Sequence, residues 1–155
     1  MDINKNITLL LEHKEKYEAK ITIKRTEHKV QITRSSESVD IFRSIIGDQI
    51  EVAESAYILL LDRGNQIISW KMLSSGGVNG TVMDPKIIGA LALKSLASAV
   101  IICHNHPSGN KKPSATDIAI TEKISSMLKS HDVNVLDHII LTKNGYLSFA
   151  DDGLL

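Results

Sequence analysis

Ala99-Val100-Ile101-Ile102-Cys103-His104-Asn105-His106-Pro107-Ser108-Gly109-Asn110-Lys111-Lys112-Pro113-Ser114-Ala115-Thr116-Asp117 is the stretch on which the reading of this chain turns. Ala99 to Cys103 is an apolar run of strand length. Side chains two apart on a strand point the same way, so a strand running on through His106 carries both imidazoles to one side and Cys103 to the other. Pro107, Gly109 and Pro113 turn the chain back. Ser114-Ala115-Thr116-Asp117 then opens a helix, and Ser114-x-x-Asp117 is also a capping box that satisfies free backbone N–H groups. Asp117, in the first helical turn, is near enough in sequence to bring a carboxylate oxygen to the two histidines. Two imidazoles and a carboxylate leave one tetrahedral position for water, the arrangement of a catalytic zinc site. Zinc lowers the pKa of that water toward about 7 and makes it a nucleophile.

Outward from this stretch the chain alternates strands and helices. Ile120, Ile124, Met127, Leu128 and His131 keep helical spacing, Val133 to Thr142 reads as a strand, and Lys143-Asn144-Gly145 turns into Tyr146-Leu147-Ser148-Phe149. Upstream, Asp84 as N-cap and Pro85 at the first helical position open a helix with Ile88, Leu91, Ala92, Ser95 and Leu96 on one face. Ala56 to Leu61 and Gln66 to Leu73 read as a hairpin about Asp62-Arg63-Gly64-Asn65. The three glycines between Ser74 and Gly80 make the most permissive loop, read as an ordinary connection. Ser35-Ser36-Glu37-Ser38 offers helix caps before Val39, Phe42, Ile45 and Ile46, with Gly47 as the stop. Residues 1–34 read as a peripheral segment, with Lys20 to Lys24 and Val30 to Ile32 as a β-hairpin, and residues 35–155 as one domain. Strand pair, helix, strand, helix, strand pair predicts an α/β domain, a mixed sheet with helices packed on its faces.

Composition narrows the function. A chain of 155 residues buries roughly 68–70% of its unfolded surface, enough for one full core. Lys plus Arg and Asp plus Glu both number 18, and zero net charge does not support a protein that holds nucleic acid by neutralising phosphates. Cys103 is the only cysteine, which excludes an internal disulfide and every multi-Cys zinc module, so a metal must use histidine and carboxylate. No apolar run reaches the roughly 18 residues of a membrane span, and Met1 to Asn6 starts polar; the expected location is the cytoplasm.

His104-x-His106, seven residues, Ser114, two residues and Asp117 resembles the signature of the JAMM (MPN-plus) zinc metalloproteases. His-Asn-His-Pro-Ser-Gly at 104–109, Leu136-Asp137-His138 and Ser148-Phe149-Ala150 are similar to the RadC-like branch in particular, over about Ser35 to Leu155. The resemblance implies a three-layer mixed-sheet domain of the MPN, cytidine-deaminase-like fold. It implies Zn2+ held by His104, His106 and Asp117, and Ser114 hydrogen-bonded to the oxyanion of a tetrahedral intermediate. It also implies an upstream glutamate as general base. Glu54, at the start of the Tyr57 to Asp62 strand, stands where RadC-like chains carry theirs, and Glu51 competes for the role. Asp137-His138 offers a partner for a ligating histidine or a strand histidine satisfied by backbone.

The leading function is therefore zinc-dependent hydrolysis of amide bonds in a peptide or isopeptide substrate. The alternative is a non-enzymatic MPN-type scaffold or a DNA-repair-associated binding module. RadC-like chains often carry a helix-hairpin-helix module ahead of this domain, a pattern the first thirty-odd residues do not show. Consecutive His-Asn-His is not the His-Asn-His nuclease motif, which spreads its residues over a ββα unit. A metallo-β-lactamase-like site would need Asp where Ser108 stands.

Overall fold

Two long apolar runs, each bounded by polar turns, call for strands buried on both faces. The computed structural model, which describes residues 30–76 and 83–155, contains them at the centre of one sheet. Helix α1 spans Ser35–Ile46 and passes into a 3-10 turn, Gly47–Glu51. Strands β1 (Ser55–Leu61) and β2 (Ile67–Ser75) follow, then helix α2 (Pro85–Ser95), β3 (Ala99–Asn105), helix α3 (Ala115–Lys129), β4 (Asn134–Thr142) and β5 (Gly145–Ser148). The strand order is β2-β1-β3-β4-β5, with β3 and β4 parallel and the other neighbours antiparallel. Parallel neighbours need a crossover longer than a turn, and α3 supplies it. The expected mixed-sheet α/β architecture is present.

Alternation along the strands decides the layers. Ala56, Ile58 and Leu60 of β1 and Val100 and Ile102 of β3 pack with Ile88, Leu91 and Ala92 of α2 and with Ile124 and Leu128 of α3. The intervening Tyr57, Leu59, Leu61, Ile101 and Cys103 meet Val39, Phe42 and Ile46 of α1 on the opposite face. Helices thus cover both faces of the central strands. Edge strand β2 is the contrast, with Trp70 and Met72 exposed.

Two local expectations are corrected. Helix α1 begins at Ser35, its N-cap is Arg34, and no side chain caps it. Glu37 instead ties the helix to the segment before it: its carboxylate accepts from the Thr33 backbone N–H at 2.7 Å and from the Thr33 hydroxyl, while Ser38 turns its hydroxyl to Ser35 O. A first-turn carboxylate is favoured there by the helix dipole as well. Helix α3 ends at Lys129, so His131 stands exposed in the following turn and not on the apolar face. Asp132 adopts a left-handed φ of 56°, which re-aims the chain into β4.

Lys20 to Lys24 and the glycine loop beyond Gly76 lie outside the described residues. Gln31 bridges to Gln66, and Ile32 is buried in the α1 layer. No helix among the described residues is long and apolar enough to cross a membrane.

Phe42 is fully buried and anchors α1 to the sheet. Phe42→Ala is expected to lower the unfolding free energy by about 3–5 kcal/mol, read as a shift in urea midpoint with an unchanged slope. A loss below about 1 kcal/mol would contradict the packing of α1 described here.

Candidate metal centre

Strand β3 runs past its apolar stretch because its polar end is paired. His106 N donates to Leu141 O at 2.9 Å, extending the β4 ladder. His104 and His106 therefore face the α3 side together, with their Nε2 atoms 2.9 Å apart. The loop then brings Ser114 to the N-cap of α3 and Asp117 to its first turn. Asp117 Oδ1 lies 3.4 Å from His104 Nε2, and Oδ2 lies 4.0 Å from His106 Nε2. One donor atom from each of the three residues falls within 4.8 Å of the others. Metal bonds of about 2.0 Å put tetrahedral ligand atoms about 3.3 Å apart, and the observed separations bracket that value. His104 is fully buried, whereas His106 and Asp117 are half-buried, so the site opens on their side.

The donor set is made of acceptors. His106 Nδ1 is 2.7 Å from the Asn110 carbonyl, which can only accept, so a neutral His106 carries its hydrogen on Nδ1 and presents Nε2 as a lone pair. Asp117 Oδ2 accepts from the Ser114 N–H at 2.7 Å and from the Ser114 hydroxyl at 2.6 Å. Ser114 Oγ in turn accepts from Asp117 N at 3.1 Å, completing the capping box. Oδ1 is left facing the histidines. Burial pushes the Asp117 carboxyl up, but the Ser114 hydrogen bonds and the two imidazoles hold it below the ordinary value of 3.8. Burial pushes His104 down to about 4, against the opposing pull of the Asp117 carboxylate. The ring is neutral at pH 7, the form a metal requires. These residues fit a divalent cation with nitrogen and oxygen ligands.

Behind the site, His104 Nδ1 is 2.8 Å from His138 Nε2, and His138 Nδ1 is 2.6 Å from Thr121 Oγ1. Burial drives His138 down to about 3, and its ring stacks on Phe149 with centroids 4.7 Å apart. The neighbouring Asp137 accepts from Ser148 Oγ and from the N–H groups of His138 and Ala150. Burial raises the Asp137 carboxyl despite these bonds. The Leu136-Asp137-His138 and Ser148-Phe149-Ala150 segments, facing each other across the β4–β5 pair, therefore meet as one unit.

Ala56 pairs with His104, and Glu54, two residues earlier, is close enough for its charge to raise the His104 pKa. The backbone at and around it is held from the β2 side by Gly76 and from β3 by Asn105. Gly76 N donates to Glu54 O at 2.9 Å. The buried Asn105 carboxamide donates to Ile50 O and Ala53 O at 2.8 and 2.9 Å and accepts from Ser55 N and Ser55 Oγ, both at 2.9 Å. Glu51, by contrast, accepts from Lys143 Nζ at 2.6 Å on the exposed rim.

Sequence reasoning missed Asn105 and Thr121. Alternation does place Asn105 on the face opposite the histidines, where a buried carboxamide needs several partners. Thr121 follows Asp117 by four residues, one helical turn further on the same side.

Fold and site together define a class: an α/β/α domain whose central strand ends in His-x-His beside a carboxylate on the next helix. Residues 32–154 match the model of the RadC-like JAB domain, and the chain belongs to that family. It is 40% identical over 124 residues to a UPF0758 protein of Flavobacterium johnsoniae, covering 80% of this chain and 53% of that protein. A UPF0758 protein of Porphyromonas gingivalis is 43% identical over 103 residues, covering 66% and 45%. One of Clostridium perfringens is 34% identical over 127 residues, covering 81% and 55%. The chain spans about half the length of these relatives.

Both buried imidazoles titrate below the ordinary 6.5, at about 4 and about 3. Below pH 6.5 the unfolded chain takes up protons that the folded chain refuses, so stability falls as pH drops. The thermal midpoint of chelator-treated protein is expected to be highest above pH 6.5 and to fall steadily toward pH 4. A midpoint flat from about pH 7 to about pH 5, above the carboxylate range, would contradict neutral burial of the two rings.

Proposed function

We propose that this chain is a zinc-dependent hydrolase of amide bonds, a metallopeptidase or isopeptidase acting in the cytoplasm. The observation that carries the reading is the convergence of His104 Nε2, His106 Nε2 and Asp117 Oδ1, acceptors facing one point, at the open end of a RadC-like JAB domain. When bound there, zinc would supply a Lewis acid for the scissile carbonyl and would lower the pKa of its water toward about 7.

The chain's own residues do the rest. Glu54 takes the proton of the attacking water on its carboxylate and returns it to the departing amine, which leaves poorly without it. The effect of Glu54 on His104, and the engagement of Glu51 with Lys143, support Glu54 as the base. The Ser114 hydroxyl, whose hydrogen rests on Asp117 Oδ2, turns to the oxyanion as charge develops. Asp117 keeps its place through the Ser114 N–H during that turn. One observation favours a second reading, a non-enzymatic scaffold: Ser114 is already satisfied as a helix cap.

Protein prepared without a histidine tag is expected to hold about one zinc per chain, and His104→Ala, His106→Ala and Asp117→Ala each to lose it. Equal zinc in all four proteins would sink the site. On a panel of peptide and isopeptide-linked amides, Glu54→Gln should keep zinc while turnover falls by about 10²-fold or more. Ser114→Ala should lose about 10²–10³ in kcat together with about 0.5–2 kcal/mol of stability from the lost cap. Full activity in Glu54→Gln would move the base to another carboxylate. Zinc-loaded protein that cleaves no amide would favour the scaffold.

A further inference from the structure

Building on the metal reading above, we infer that Thr121 and His138 form a directional relay that fixes the His104 hydrogen on Nδ1, so that Nε2 faces the metal position as a lone pair. The direction is set at the end that has no freedom. The Asp117 backbone carbonyl holds only lone pairs, and Thr121 Oγ1 lies 2.5 Å from it, so the hydroxyl hydrogen lies on that line. Thr121 Oγ1 then has only lone pairs to offer His138 Nδ1, 2.6 Å away, and the imidazole must bring the hydrogen. A neutral ring carries one N–H, so His138 Nε2 is an acceptor and the 2.8 Å contact is a donation from His104 Nδ1. His104 Nε2 is left bare. In the reverse arrangement His104 would point a hydrogen at the metal position, and the Thr121 oxygen would meet the Asp117 carbonyl lone pair to lone pair at 2.5 Å.

The relay is sealed. His104 and His138 are fully buried and Thr121 is 2% exposed, so no solvent reaches it to offer alternative partners. Phe149 holds the plane of His138 by stacking. His106 reaches the same state in one step through Asn110 O. Both bare nitrogens then face each other at 2.9 Å, a repulsive arrangement that a cation between them relieves. Thr121 and His138 are positioning residues: they touch neither substrate nor metal, and act through His104.

Two measurements on the full chain test this. In metal-free protein labelled with 15N at histidine, at about pH 8 where unperturbed imidazoles are neutral, long-range 1H–15N correlations should show His104 and His138 protonated on Nδ1 with Nε2 bare. His104 protonated on Nε2 overturns the relay. Zinc competition against a chromophoric chelator should give Thr121→Val an affinity about 10–100-fold weaker than wild type, and Thr121→Ser, which keeps the hydroxyl, should restore it. Circular dichroism melts confirm that each variant is folded. A folded Thr121→Val that binds zinc as well as wild type overturns the relay. Wild type that binds no zinc removes the metal reading instead, and the NMR result on metal-free protein still decides the tautomer.

Discussion

A central strand that ends in three polar residues, two of them fully buried, must find partners for most of their nitrogens and oxygens within the protein. An unpaired buried polar group costs more than most single contacts return, so the partners of His104, Asn105 and His106 are not optional features of this fold. His104 recruits His138 from the parallel neighbour β4, and through it Thr121 from α3. Asn105 recruits the backbone between the 3-10 turn and β1. His106 recruits the carbonyl of Asn110 in its own loop. What no donor among the described residues satisfies is the side where the two Nε2 atoms and the Asp117 oxygen meet. The metal reading follows from this remainder.

A single carboxylate serves two ends without conflict because its two oxygens are separately addressed. Asp117 Oδ2 is bound by Ser114 N and Oγ, which fixes the start of α3, and Oδ1 faces His104. The helix cap and the candidate ligand are therefore the same structural fact. The same economy appears one turn later, where the Asp117 carbonyl orients Thr121.

The order and type of the elements were legible because the central strands are apolar on both faces and the helices carry strong start signals, notably Asp84-Pro85 and Ser114-x-x-Asp117. The histidines' common face followed from the two-residue period alone. Less legible was anything that depends on a partner distant in sequence. Nothing near Asn105 announces that its carboxamide holds Ala53 and Ser55. The first turn of α1 misled for a different reason: three serines within four residues offer several starts, yet the helix already begins at Ser35 with Arg34 as its N-cap.

The clamp around Glu54 constrains which substitutions this chain can carry. Asn105 addresses Ile50 and Ala53 only through their backbone carbonyls, and Ser55 partly through its N–H. Side chains at 50 and 53 can therefore drift with local packing while the grip on the backbone around Glu54 stays the same. All the chemical selectivity of the contact is concentrated in one amide, whose oxygen and nitrogen cannot trade places: aspartate would set an oxygen against two carbonyls, and leucine would leave four polar groups dry. Tolerance at this contact is thus asymmetric: at 50 and 53 it is limited only by packing, which for Ile50 means the core, and at Asn105 by the hydrogen bonds themselves.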